Sequence, residues 1–329
     1  MSRIRFRRFA WGVVGATLLV ILWGAYVRAS LSGDGCGAHW PSCGGTVIPH
    51  PQQTKTIVEL SHRLTSLFLM VSTTALMVWA LFLYPKGDIV RKGALWSFGL
   101  VMSEALVGAG LVLFKLVAHN PSVYRAVAMC AHLIVTLFLV AAITLTAWWA
   151  SGGARLKLKN QGELGFAFGA SFVSVLVVAV TGSLSALGDT LYPAKSLMEG
   201  MQQDFAPTAS YLLQHRPLHP LSALMATSIV VATALLSTRL RPDAQTRRFA
   251  TITIALMLGQ LGLGLVNLVL LAPIWLQLLH LLTANALWIS LVVLSASTLA
   301  ERTVENEATV ENRNEEVSRT WPEQVPSAL

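Results

Sequence analysis

Apolar residues run along this chain in long blocks separated by short polar segments. Eight blocks contain about 20 or more residues, the length of helix that crosses the hydrocarbon core of a bilayer. They cover 9–28, 57–84, 93–117, 123–149, 164–187, 209–238, 247–272 and 274–299. The pattern predicts an all-α integral membrane protein with eight transmembrane helices.

The composition supports the same class of protein. Hydrophobic residues make up 54% of the 329 positions, charged residues make up 12%, and the mean hydropathy is +0.61. A soluble two-domain enzyme carries far more charge, so these values exclude that class.

Lysine and arginine are concentrated on alternate connections between the predicted helices: near 3–8, 86–92, 155–159 and 239–248. Short cytoplasmic loops retain positive charge, so we expect both termini to be cytoplasmic. The net charge of +8 then reflects membrane topology and not nucleic-acid binding.

The Arg-rich start of the chain also has the composition of a mitochondrial leader. The apolar block begins at once, which leaves no room for a cleavable presequence, so we expect a bacterial plasma-membrane protein that retains its first helix. Past residue 300 the chain becomes rich in Glu, and 301–329 is expected to be a disordered cytoplasmic tail.

The two halves of the chain resemble each other. His62 aligns with His219 at an offset of 157, and His132 aligns with His280 at an offset of 148. The segment 103–114 resembles 259–270 at an offset of 156. This similarity predicts two parallel repeated four-helix bundles, an N-terminal half over 1–150 and a C-terminal half over 151–300.

Each half carries two histidines inside apolar blocks, on its second and fourth helices. A bilayer tolerates an ionisable side chain when function or pairing compensates for it. Two imidazoles that face each other across a bundle can hold a haem iron from both sides, so we predict one haem site in each half, in the outer leaflet. The alternative is that each histidine only donates a hydrogen bond to a nearby carbonyl. His215 precedes His219 by one helical turn and could replace it as ligand.

Glu59 stands three residues before His62 and therefore shares a helix face with it. A carboxyl group at this place could exchange protons, whereas the matching position before His219 is Arg216. We therefore expect chemistry at the first site and a permanently held cofactor at the second. The alternative is a carboxylate that pairs with Arg63 or reaches the membrane interface.

Cys36 and Cys43 lie seven residues apart in the first outer loop. An oxidising outer environment favours a disulfide between them. A metal site that also uses His39, or a redox-active dithiol, stays an alternative. Cys130 is expected only to pack within its helix. The sequence contains no CxxCH, so covalent haem attachment is not indicated.

These motifs resemble those of the haem A synthase family. The resemblance is carried by GAYVRASLSGDGCGAHWPSCGG at 24–45, VELSHRLTS at 58–66, EALVGAGLV at 104–112 and the fourth-helix His132, and it continues more weakly to about residue 299. It implies oxidation of the C8 methyl group of haem O to the formyl group of haem A, for use in terminal oxidases, with oxygen from water.

Residue by residue, the resemblance implies that Glu59, His62 and His132 form the substrate-haem site, with Glu59 as the catalytic residue. It implies that His219 and His280 ligate the iron of a resident haem b. The implied partners are haem O as substrate, membrane lipid, a haem O synthase and an electron acceptor, and a homo-oligomer stays open.

Two other function classes stay open. A di-haem membrane cytochrome b that carries electrons needs the same four histidines but has no use for Glu59 or the cysteine loop. A transporter built from parallel repeats would use the histidines as a proton relay.

Overall fold

The computed structural model describes residues 2–46, 53–157 and 159–300. Within these residues the chain forms ten helices and no β-sheet. The helices are α1 (Arg3–Ala29), α2 (Thr54–Leu83), α3 (Ile89–Leu113), α4 (Val123–Ala150), α5 (Gly162–Leu191), α6 (Leu197–Phe205), α7 (Tyr211–His215), α8 (Leu218–Leu240), α9 (Ala244–Val269) and α10 (Ile274–Thr298).

Eight segments of the described chain are long and apolar enough to cross a membrane. Seven are single helices, and the sixth, Tyr211–Leu240, combines α7 and α8. The predicted all-α membrane fold with eight spans is therefore confirmed. The predicted tail at 301–329 lies outside the described residues.

The first four helices form a bundle in which α1 and α3 each pack against both α2 and α4. In the second half α5 packs against α8, α8 against α9 and α9 against α10, in the same order as the first half. The two halves meet where α1 and α4 pack against α5 and α10. Two repeated halves would make these contacts. The repeat arrangement itself stays a prediction.

Polar side chains join the two halves at two levels. Arg28, near the end of α1, donates to the carbonyl of Ala186 on α5 at 2.6 Å and to the side-chain oxygen of Gln277 on α10 at 2.8 Å. Trp288 on α10 donates its indole N–H to the carbonyl of Leu137 on α4 at 2.8 Å. Hydrogen bonds in a low-dielectric interior are stronger than in water, so these contacts fix how the halves pack.

Helices α3 and α9 end earlier than their apolar blocks, which predict ends at 117 and 272. Lys115 and Leu271, two residues after these helices, have positive φ angles of 55° and 57°. In each case the amide of the next residue bonds the carbonyl five residues back at 2.8 Å. This is the left-handed cap that ends many helices. Hydropathy does not detect it, because the block stays apolar beyond the cap.

The sixth apolar block, predicted as one helix over 209–238, is broken between α7 and α8. Pro217 has no N–H and cannot continue the regular hydrogen-bond ladder. The amides of Arg216 and His219 bond carbonyls three residues back instead of four. His219 therefore lies at the start of α8, eight residues beyond Tyr211. The short helix α6, in the connection before it, was not predicted.

Candidate functional site

The four intramembrane histidines lie at similar distances from the starts of their spans. His62, His132, His219 and His280 follow Thr54, Val123, Tyr211 and Ile274 by 8, 9, 8 and 6 residues. At about 1.5 Å of rise per residue, the distances along the helices are about 9–14 Å. Because these spans are the second, fourth, sixth and eighth, alternation places all four histidines near one membrane face.

Each of these histidines lies against a glycine of the preceding span. The pairs are Gly24 with His62, Gly108 with His132, Gly182 with His219 and Gly264 with His280. A Cβ atom on the glycine would lie 2.9, 3.6, 2.8 and 3.2 Å from the Cε1 atom of the imidazole, in the same order. Carbon atoms pack best at about 3.5–4.0 Å, so in three pairs a methyl group would displace the ring.

His219 and His280 are brought together in the second half. Their ring centres lie 6.4 Å apart and their planes are perpendicular, at 88°. One metal ion bound by a nitrogen of each ring at about 2.0 Å places the ring centres about 6 Å apart. The ring centres of this pair are therefore separated by about the distance expected for a metal ion bound between two opposed rings. Thr181 lies beside it, with its hydroxyl 3.4 Å from Nδ1 of His219.

His215, the alternative ligand, is placed differently. It is exposed, and its Nδ1 atom lies 2.6 Å from the carbonyl of Tyr211 in its own helix. The geometry therefore brings His219, and not His215, next to His280.

In the first half, His62 is on α2 and His132 is on α4, which lie diagonally across the bundle between α1 and α3. The Nδ1 atoms of both rings are buried, and neither has a hydrogen-bond partner in the described part of the chain. Buried polar atoms are normally paired, so the two unpaired nitrogens mark both rings as places where a further contact is expected.

Glu104 on α3 lies next to His132. Its Oε1 atom accepts a hydrogen bond from the Thr136 hydroxyl and is 3.3 Å from Nδ1 of His132, at an angle outside hydrogen-bond geometry. The second carboxyl oxygen, Oε2, is buried and has no hydrogen-bond partner among the described residues. A carboxyl group thus lies beside the ring of His132.

Gln260 on α9 occupies the matching place beside His280. Its amide nitrogen lies 3.1 Å from Nε2 of His280 and also donates to the carbonyl of that residue at 3.1 Å. Its oxygen accepts a hydrogen bond from the Thr283 hydroxyl. The second half therefore presents an amide where the first half presents a carboxyl group.

Glu59 is buried, with 3% of its surface exposed. The backbone N–H of Cys36 donates to its Oε2 at 2.8 Å, and Arg63 donates to its Oε1 from Nε at 3.1 Å and also from Nη2. Arg63 also donates to two loop carbonyls at 2.7 Å, one of them that of Ser42. The ion pair between Glu59 and Arg63, expected as an alternative from the sequence, is thus present. It holds Glu59, three residues before His62, in a fixed orientation.

The loop that Glu59 and Arg63 hold contains the disulfide between Cys36 and Cys43, as predicted. Both sulfurs are used in this bond, and residues 2–46, 53–157 and 159–300 contain no group of three His, Cys, Asp or Glu side chains placed for a metal ion. The loop packs closely on α2, since a Cβ atom on Gly35 would lie 2.4 Å from the backbone of Lys55. Cys130 lies outside the disulfide and is partly buried.

Arg216 takes the place of Glu59 in the second half and makes different contacts. Its Nη1 atom donates to Asp189 of α5 at 2.9 Å, its Nε donates to Asp204 of α6 at 2.6 Å, and its Nη2 donates to Gln203 at 3.1 Å. The positive charge of Arg216 is therefore balanced by two carboxylates, which the sequence comparison of the two halves did not identify. The first half thus has a buried carboxyl group next to its histidine pair, and the second has a paired cation.

Residues 7–292, which include all of these positions, match the family model COX15-CtaA, described as cytochrome oxidase assembly protein. Two proteins from two strains of Thermus thermophilus are each named Protoheme IX farnesyltransferase. Each is 45% identical over 295 residues, which are 90% of this chain and 48% of the relative. The chain therefore spans about half the length of these relatives.

Proteins named Heme A synthase are similar over shorter stretches. The one from Symbiobacterium thermophilum is 40% identical over 96 residues, 29% of this chain and 31% of that protein. The one from Alkalihalophilus pseudofirmus is 39% identical over 100 residues, 30% of this chain and 33% of that protein.

Proposed function

The chain belongs to the COX15-CtaA family of cytochrome oxidase assembly proteins, and we propose that it is a haem A synthase, which oxidises the C8 methyl group of haem O to the formyl group of haem A. One methyl group and one water then give one formyl group, four protons and four electrons. The observation that carries the proposal is the presence of two histidine pairs at similar distances from the starts of their spans, of which one has a buried carboxyl group three residues before it. The similar proteins named Heme A synthase support it.

His219 and His280 are proposed as the residues that would hold the iron of a resident haem b. Their ring separation of 6.4 Å supports this, as does the buried Nδ1 atom of His280, which has no hydrogen-bond partner among the described residues. When bound, this haem would supply one-electron transfer away from the substrate site.

His62 and His132 are proposed to bind the iron of the substrate haem O, and Glu59 is proposed as the catalytic residue. Oxidation of the methyl group releases protons, and the carboxylate of Glu59, three residues before His62, is proposed to take them. Arg63 and the backbone of Cys36 hold this carboxylate in one orientation, so the proposed proton acceptor is fixed before the substrate arrives.

We propose that the protein lies in a bacterial plasma membrane with both termini in the cytoplasm. The charge distribution supports this orientation. It places the disulfide on the oxidising side, where such bonds persist, and the histidines in the outer leaflet. Residues 1–150 then form the substrate half and 151–300 the half with the resident haem.

The transferase name of the Thermus proteins supplies a second candidate function. That name refers to proteins of which the chain covers 48%, so it can describe their other half. The two functions differ in substrate: a transferase needs haem b and farnesyl diphosphate, whereas the proposed oxidation needs haem O and an electron acceptor.

The full chain, purified in detergent and supplied with haem O and an electron acceptor, is expected to produce haem A, identified by chromatography and mass. Formation of haem O from haem b and farnesyl diphosphate, without haem A, would replace the proposal by the transferase. Two bound haems without any conversion would favour a cytochrome b that carries electrons. Colourless protein from haem-replete cells would favour a transporter.

Substitution of Gly182 by Ala is expected to lower the affinity for haem b, because the new methyl group would lie 2.8 Å from His219 and displace its ring. Residues that orient metal ligands usually change the affinity about 10- to 100-fold, and we expect a loss of that size. The measurement is haem per chain, from the absorbance of the purified protein.

Gly169→Ala is the matched control, because Gly169 lies on the same helix and a Cβ atom there has nothing within 4 Å. This variant should keep its haem, since Ala in a helix costs about 0.5–1 kcal/mol less than Gly. Equal haem content in both variants would contradict the assigned role of Gly182.

A further inference from the structure

Glu104 is a half-buried carboxyl group that the proposed reaction does not use. It lies on α3, four residues before Gly108, which contacts His132. The Thr136 hydroxyl fixes one carboxyl oxygen, and that oxygen is 3.3 Å from the ring nitrogen of His132. The other oxygen is buried and has no hydrogen-bond partner among the described residues. A buried carboxyl oxygen in such contacts requires a function or a partner.

The second half repeats this arrangement with one chemical difference. A threonine hydroxyl of α10 donates to the side-chain oxygen of Gln260, as Thr136 of α4 does to Glu104. Gly264 contacts His280 as Gly108 contacts His132. The helices therefore correspond and the residue beside the histidine changes from an amide to a carboxyl group, but the ring nitrogens differ: Oε1 of Glu104 lies by Nδ1 of His132, and the amide nitrogen of Gln260 lies by Nε2 of His280.

This difference changes what the histidine can donate to a metal. Histidines that bind metals usually give their other ring N–H to a carboxylate or a carbonyl, which fixes the ring and raises its basicity as a ligand. The carboxyl oxygens of Glu104 can accept that hydrogen bond. Gln260 turns its amide N–H₂ toward the ring of His280 and is a donor there.

We propose that Glu104 is a positioning residue that accepts the ring N–H of His132 and makes it a stronger electron donor to haem iron than His280. The inference rests on the proposed function, which assigns these histidines as ligands. A more basic ligand stabilises the ferric form, so iron at the first site is harder to reduce than iron at the second. This order of reduction would favour electron transfer from a haem bound at the first site to a haem bound at the second.

The test uses the full chain in lipid nanodiscs, loaded with iron protoporphyrin IX at both sites and titrated electrochemically while absorbance is recorded. Glu104→Gln should raise the ferrous-to-ferric ratio of the first site about tenfold at a fixed potential, which is about 59 mV for one electron. The reciprocal Gln260→Glu should lower that ratio at the second site. His280→Ala, which removes the second haem, identifies which reduction step of the titration belongs to which site.

Ser103→Ala is the matched control, because Ser103 is the exposed neighbour of Glu104 and its hydroxyl bonds the carbonyl of Gly99 in the same helix. It should leave both potentials unchanged. Unchanged potentials in Glu104→Gln and in Gln260→Glu, with both haems retained, would overturn the inference and leave the proposed function intact. A wild-type chain that takes up neither iron protoporphyrin IX nor haem O at the first site would overturn both.

Discussion

Replacement of Glu59 by Gln is expected to abolish the formation of haem A while the bound haem b is retained. Glutamine has the size of glutamate, and its one carbonyl oxygen can still accept from Arg63, which also holds the loop carbonyls, but its NH₂ group neither accepts from the backbone of Cys36 nor takes a proton. General acid–base catalysis contributes about 10²- to 10⁴-fold, so the rate should fall by at least about 100-fold. Haem O, haem A and haem b extracted from one preparation and separated by chromatography give the result.

The contacts of Glu59 allow a purely structural role, which needs its own control. Glu59 and Arg63 hold the disulfide loop on α2, and release of this loop could also stop the reaction. Alkylation of Cys36 and Cys43 after mild reduction reports how well the loop is held. We expect wild-type labelling in Glu59→Gln and faster labelling in Glu59→Ala, with haem A lost in both.

Unchanged haem A output from Glu59→Gln would refute the catalytic role. Loss of haem A that occurs only together with faster cysteine labelling would make Glu59 an anchor of the loop. Since Arg63 donates to the loop carbonyls as well as to Glu59, the two roles share a partner. The glutamine variant separates them because it changes the proton affinity and keeps the shape.

Hydropathy predicted the eight spans because a bilayer requires about 20 apolar residues whatever the packing. It could not place the ends of α3 and α9, where a left-handed cap at Lys115 or Leu271 stops the helix inside an apolar block. It also missed α6, whose nine residues are too few to form a span. The break at Pro217 had a signal in the sequence, since proline interrupts the hydrogen-bond ladder.

The histidines were predictable because ionisable residues are rare inside apolar blocks. Their glycine partners were not predicted, although Gly24 and Gly182 recur at an offset of 158 and Gly108 and Gly264 at 156, which matches the repeat. The disulfide loop docks on α2 through long-range contacts, among them one backbone N–H that reaches a side chain 23 residues away. No local pattern encodes such a contact, so it requires the folded structure.

The two halves differ at both positions that lie next to their histidines. Glu59 corresponds to Arg216, and Glu104 corresponds to Gln260. Both differences place a carboxyl group in the first half, where proton release is proposed, and remove it from the second. A site that only accepts and passes electrons needs no proton acceptor, so the differences agree with one reactive and one resident haem.

Replacement of His219 by Ala is expected to remove the resident haem b, since one of the two axial bonds is lost. The remaining ring of His280 cannot hold the iron in a low-spin state alone. The loss should exceed the about 10- to 100-fold effect of changing a residue that only orients a ligand. Haem per chain and the low-spin absorbance of the purified protein measure it.

His215→Ala is the matched control for this variant. His215 lies four residues before His219, across the break at Pro217, is exposed, and has Nδ1 2.6 Å from the carbonyl of Tyr211. It should keep its haem b, because only His219 has its ring 6.4 Å from that of His280. Full low-spin absorbance in His219→Ala together with its loss in His215→Ala would reverse the ligand assignment. Iron would then have to bind beyond the break at Pro217, and the ring of His215 would have to leave its own helix to reach it.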